Sequence, residues 1–180
     1  MWLRRLIRVQ TRDEGNALLE TAVAMPLLLT IAFNVINLSY FWFMVLSLSA
    51  APRMAVEFST QGGQALGTTS APTAASVSQV AYDNMTNAVH GATTANTTVG
   101  VCTQKLGLTG GAANCQTFSP SPAFSFSKVA PPDPEAPVFV LNRVDVGYTV
   151  TPPIPGTIFN VVLPSTLNFQ RHVYMRSLFL

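Results

Sequence analysis

From Thr21 to Pro52 the chain carries no charged side chain, and its apolar excess is concentrated in 22–51. About 20 apolar residues suffice to cross a bilayer, so this run can span one with residues to spare. It predicts a single long helix over 16–60 that leaves the membrane and continues outside it. Pro26 lies in its first turns and is expected to bend it, because proline removes a backbone hydrogen bond. Pro52 is placed to kink or end the membrane portion, and Gly62-Gly63 to terminate the helix. Asn34 and Asn37 are the strongly polar side chains in mid-span. Lipid offers their amides no hydrogen bonds, so they either contact a neighbouring helix or stand as isolated, tolerated amides.

Residues 61–75, rich in Gly, Ser, Thr, Ala and Pro, read as a linker. Val77, Val80, Ala81, Asn84, Ala88 and Val89 then follow helical spacing, with Ser76 as N-cap and an end near Gly91. The Thr- and Val-rich stretch 97–102 reads as a strand, 105–114 as a glycine-bearing loop and 117–127 as an irregular strand. Pro131, Pro132, Pro134 and Pro137 make a stiff connector. The clearest strand is 138–150, where Val144, Val146, Tyr148 and Val150 alternate with Asp145, Gly147 and Thr149. Pro152, Pro153 and Pro155 break it, and 167–180 forms a last strand whose apolar end docks on the sheet. The fold class is therefore α+β: a long N-terminal hydrophobic helix, then a small antiparallel-sheet external domain (76–180) with one short helix.

Charge adds a direction. Arg4, Arg5, Arg8 and Arg12 oppose only Asp13 and Glu14, so residues 1–15 carry the whole net charge of +2. They form a basic leader, and the positive-inside rule keeps that end cytoplasmic and everything after about residue 53 outside. The remainder has no basic face of the kind nucleic acid requires. One carboxylate, Glu20, stands at the mouth of the apolar run. Burying it unpaired would be costly, so it stays at the membrane surface or gains a partner.

Cys102 and Cys115 both fall in the external part, where an oxidising compartment favours joining them. Closing that loop is worth roughly 3 kcal/mol in the chain-entropy model; two free thiols are the alternative. His90 and His172 have no metal-ligand spacing to either cysteine. No nucleophile elbow, phosphate loop or zinc-binding HExxH is present, and the chain reads as a non-enzyme without cofactor. Asp133 and Glu135 read as solvated connector residues, and Tyr148 and Tyr174 as core or rim aromatics.

Gly15-Asn16-Ala17-Leu18-Leu19-Glu20 follows the basic leader, and Pro26-Leu27-Leu28-Leu29 follows after a short apolar run. This region resembles type IV pilin-like precursors, whose leader ends in glycine, with a glutamate five residues past the cut. The finer spacing, with Met175-Arg176 near the end, is similar to the TadE-like proteins of tight-adherence (Flp) pilus systems. Two positions depart from that pattern. Thr21 stands where an aromatic or bulky apolar residue is common, and Asn37 where many TadE-like chains carry a second acidic residue.

The resemblance implies a minor pilin or pseudopilin, acting in initiation, at the tip or in assembly. A prepilin peptidase would cut between Gly15 and Asn16, and Glu20 would attract the new α-amine of a neighbouring subunit. The implied partners are that peptidase, other minor pilins and major pilin subunits, the inner-membrane assembly platform and the lipid bilayer. The implied location is the bacterial inner membrane, with the external domain periplasmic or carried into a surface pilus. The residues alone also fit an uncleaved single-pass anchor bearing a binding or scaffold domain of a cell-envelope secretion complex.

Overall fold

A computed structural model describes residues 3–61, 72–89, 91–103, 114–129, 133–135, 140–154 and 163–177. The elements are α1 (Leu3–Gln61), α2 (Ala74–Ala88), β1 (Thr97–Thr103), β2 (Asn114–Phe118), β3 (Val140–Val150) and β4 (Leu167–Ser177). The strands form one antiparallel sheet in the order β2-β1-β3-β4. The architecture is thus α+β: a long apolar helix, one short helix and a small antiparallel sheet.

Several boundaries differ from those the sequence predicts. The first helix begins at Leu3, so most of the basic leader continues it in helical form. It runs unbroken through Pro26 and Pro52 and ends at Gln61, directly before Gly62. No glycine interrupts it from residue 16 onward, and neither proline ends it. The short helix is capped by Thr73, not Ser76: the Thr73 hydroxyl accepts from the Ser76 backbone N–H at 3.2 Å. β2 lies at 114–118, where the loop reading placed only Asn114. Most of the segment expected as an irregular strand, 119–127, has no strand pairing. Residues 62–71 of the linker, and the ends of the strands predicted over 138–150 and 167–180, fall outside the described residues.

The chain divides into two compact units, one comprising Met1–Tyr40 with Thr151–Ser165, the other Phe41–Val150 with Thr166–Leu180. In the second unit the strand register sorts side chains by face. Val99, Val101, Val144, Val146 and Val173 share one face. The distal part of α1 lies against its β3–β4 side: Ser59 accepts from the Asn142 amide at 3.2 Å, and Thr60 contacts Met175 at 3.3 Å. Met44, Leu48, Ala51, Ala55 and Val56 are buried at helical spacing along this part of α1. Phe41 adds a ring contact with Phe169 at 4.7 Å between centroids.

The opposite face is covered by the strand-less segment. Phe124 lies over Gly147 and Phe126 over Gly100, so close that an added Cβ would sit 2.6 Å and 2.8 Å from their ring carbons. Thr98 donates its hydroxyl to the Ser119 carbonyl at 2.8 Å, fixing the start of this strap. Both faces of β3 are therefore buried, which the alternating pattern alone does not predict. Gly147→Ala is expected to destabilise the domain by about 1–3 kcal/mol through overpacking, read by denaturant unfolding. Phe124→Ala in the same chain should remove most of the added cost of the alanine. Equal stability of Gly147→Ala and the parent would show that the strap does not sit there.

Candidate functional site: the uncovered surface of the long helix

The sequence places its chemistry along α1, and the structure sets those residues in two environments. Gly15 lies within the helix, and its surroundings are outside the described residues. Asn16, Glu20 and Pro26 are exposed. Around them the helix presents Leu18, Leu19, Val23, Leu27 and Leu28 to the outside, each more than 60% exposed. Large apolar side chains remain uncovered as far as Met54. The helix is long and apolar enough to cross a membrane.

Polar side chains in this run are satisfied by the helix itself. The hydroxyls of Thr21, Thr30 and Ser39 donate to the carbonyls of Ala17, Pro26 and Val35, each at 2.8 Å. The Asn34 amide donates to the Thr30 carbonyl at 2.7 Å. Back-bonding of this kind lets a polar side chain sit in apolar surroundings without an unmet donor. For Asn34 it supplies a partner within the same helix.

Asn37 is different. It is buried, and its amide makes two hydrogen bonds to the backbone of Ile154, donating to the carbonyl and accepting from the N–H, both at 3.2 Å. In the run Pro152-Pro153-Ile154-Pro155 only Ile154 has an N–H to donate. The side-chain amide, with one donor and one acceptor, completes it as a second peptide group would. Asn37 thus fastens the segment after β3 to α1 within the first unit.

A second cluster lies on the strapped face of the sheet. Cys102 and Cys115 form a disulfide directly across β1 and β2. The Arg143 guanidinium donates from Nε to Asp145 at 2.8 Å, from Nη1 to the Val129 carbonyl at 3.4 Å, and from Nη2 to the Ser127 carbonyl. Nη2 also lies 3.1 Å from Cys102 Sγ. The side chains of Arg143 and Asp145 are 6% and 4% exposed. Burial pushes the Asp145 carboxyl above the ordinary carboxylate range, with the Arg143 charge, its hydrogen bond and His172 pulling the other way.

Two sequence expectations are corrected here. Asp133 is not solvated: it is buried and paired with Arg176 of β4 at 3.0 Å, while Glu135 meets the same guanidinium at 3.2 Å from an exposed position. Asp145, which alternates with the apolar positions of the strand, is not on a solvated face but forms a buried pair with Arg143. The signal for that lay in Gly100 and Gly147, which leave room for the two phenylalanines. Tyr148 is core, and Tyr174 lies at the rim, 44% exposed. Among the described residues no cluster of three or more His, Cys, Asp or Glu is arranged to hold a metal ion. Comparison with family models, with curated proteins and with solved structures finds no match for this chain.

Proposed function

We propose that this chain is a minor pilin or pseudopilin of a tight-adherence type pilus, held in the inner membrane by α1 before assembly. The observation that carries the reading is Glu20: a single exposed carboxylate at the head of a helical surface left apolar and uncovered. The self-satisfied hydroxyls and the Asn34 amide suit that surface to lipid. The arginines of the leader would hold the N-terminus on the cytoplasmic side.

A helix rises about 1.5 Å per residue, so about 20 residues cross the hydrocarbon core. The uncharged run exceeds that. Residues 17–36, ahead of the turn that holds Ile154, supply about that length, and the stretch from Met44 onward forms core with the sheet. Membrane and domain would thus divide one helix between them.

A prepilin peptidase would cut after Gly15, whose missing side chain lets an extended backbone enter a narrow cleft. The cut gives Asn16 a positive α-amine. In a growing helical bundle Glu20 would pair with the α-amine of a neighbouring subunit, because two charges in a low-dielectric setting are tolerated only together. The partners are then the peptidase, the other minor and major pilins and the assembly platform.

The test is co-expression with a prepilin peptidase, followed by intact mass and pilus assembly. The expected mature chain begins at Asn16. Glu20→Ala should insert and be cut as usual, yet fail to enter the fibre or its initiating complex. A chain that keeps Met1 or Trp2 would identify an uncleaved anchor instead. Normal assembly of Glu20→Ala would remove the charge-pairing mechanism.

A further inference from the structure

We infer that the Cys102–Cys115 disulfide is polarised for thiol–disulfide exchange, with Cys115 the sulfur attacked by an external thiolate and Cys102 the sulfur that leaves. The inference is independent of how the N-terminus is processed. It begins from position in the sheet. Cys115 lies on β2, an edge strand, whereas Cys102 lies on β1, between β2 and β3. Cys102 is 1% exposed; Cys115 is only partly buried.

A thiolate displaces sulfur along the axis of the S–S bond, approaching the attacked atom from its far side. Cys115 stands on the edge strand, and no described strand lies beyond β2. Cys102 is flanked by β3, whose Arg143 guanidinium lies beside the disulfide. Nη2 is 3.1 Å from Cys102 Sγ but 3.9 Å from Cys115 Sγ. Burial denies an incoming thiolate access to Cys102, and the nearby guanidinium favours negative charge on that sulfur.

The bond changes follow. An incoming thiolate forms a new S–S bond to Cys115 Sγ, the Cys102–Cys115 bond breaks, and its electron pair remains on Cys102 Sγ as a thiolate. A neighbouring cation lowers a thiol's pKa, and a lower pKa makes a faster leaving group. Asp145 engages the guanidinium through Nε, which leaves Nη2 directed at the sulfur and the Ser127 carbonyl. In the forming direction, the Cys102 thiolate attacks Cys115 Sγ of the mixed disulfide and expels the reagent's thiolate. The reactant is defined by its chemistry, an accessible thiolate reaching the β2 edge.

The test uses the full chain in detergent micelles with reduced glutathione as probe. Brief exposure is followed by quenching with iodoacetamide and tryptic mapping. Lys105 lies between the two cysteines and Lys128 beyond Cys115, so each sulfur falls on its own peptide. Glutathione is expected on Cys115, with Cys102 alkylated, in about tenfold or greater excess over the reverse adduct. Equal adducts, or an excess on Cys102, would overturn the inference. The single-thiol variants Cys115→Ala and Cys102→Ala give a second reading by thiolate absorbance against pH. The thiolate of Cys102 should form at lower pH than that of Cys115; the opposite order also overturns it.

Discussion

Arg143→Met is expected to destabilise the domain by about 3–5 kcal/mol near neutral pH, measured by denaturant unfolding of the full chain in detergent micelles. The reason is what remains. Asp145 would keep its buried position, 4% exposed, without the guanidinium that now lies 2.8 Å away. The carbonyls of Ser127 and Val129 would lose their donor as well. An unpaired buried charge costs far more than the pair gains over apolar groups of the same volume. Arg143→Met combined with Asp145→Leu should therefore recover part of the loss, with the two carbonyls accounting for the rest. A cost below about 1 kcal/mol for the single variant would mean that Asp145 reaches solvent.

The same pair gives the domain a pH signature. Asp145 has a folded-state pKa above its unfolded value, burial being the larger cause. Through this group the folded state is favoured in acid, and that contribution is lost as pH rises through the folded pKa, from about pH 4 upward. Without Arg143 the carboxyl is pushed higher still, because the largest opposing influence is gone. The deficit of Arg143→Met should accordingly shrink as pH falls through the variant's higher carboxyl pKa, and level off once Asp145 of the wild type is protonated as well. A deficit that is constant with pH would assign the loss to the carbonyls and not to the carboxylate.

Much of this fold is legible in the sequence because its signals are local. The uncharged run marks α1, the 3.6-residue spacing after Ser76 marks α2, and alternation marks β3. The disulfide follows from two cysteines in a segment that the leader's charge predicts to lie outside the cytoplasm. What is not legible depends on pairing between distant residues. Asn37 declares that an amide needs a partner, but its partner is the one N–H in a proline-rich run far along the chain. Asp133 looks solvated until β4 brings Arg176 to it. Asp145 looks like the wet side of a strand until β1 and β3 are set in register, which places Gly100 and Gly147 beneath Phe126 and Phe124. Of the candidate site, the glycine, the glutamate and the apolar run are readable directly. The functional role proposed for Glu20 requires a second molecule and a cut chain, so no fold of the single precursor contains it.

The division of α1 was hidden for a different reason, and it makes the sharpest prediction for the helix. Between Phe41 and Pro52 apolar residues stand on every side of the helix, so periodicity does not separate a lipid-facing surface from a core-facing one. Only Arg53 and Glu57, paired at 3.3 Å on the outer side, show which way the next turns face. Leu46 and Leu48 lie just before them and face opposite ways: Leu46 is 68% exposed, Leu48 2%. Leu48→Ala should cost about 2–5 kcal/mol, since it leaves a cavity under the sheet as well as losing burial. Leu46→Ala should leave domain stability within about 0.5 kcal/mol. Both variants should insert alike, because each removes the same side chain from the same apolar run. If both sites were lipid-facing, neither would alter unfolding of the sheet domain, and a Leu48→Ala cost under about 1 kcal/mol would show that the helix stays in the bilayer through this turn. A large cost at Leu48 alone would place the end of the span before it. Membrane anchoring and domain folding would then be coupled through one continuous helix, and pulling the helix out of the bilayer, as the proposed assembly requires, would leave the sheet domain's core intact.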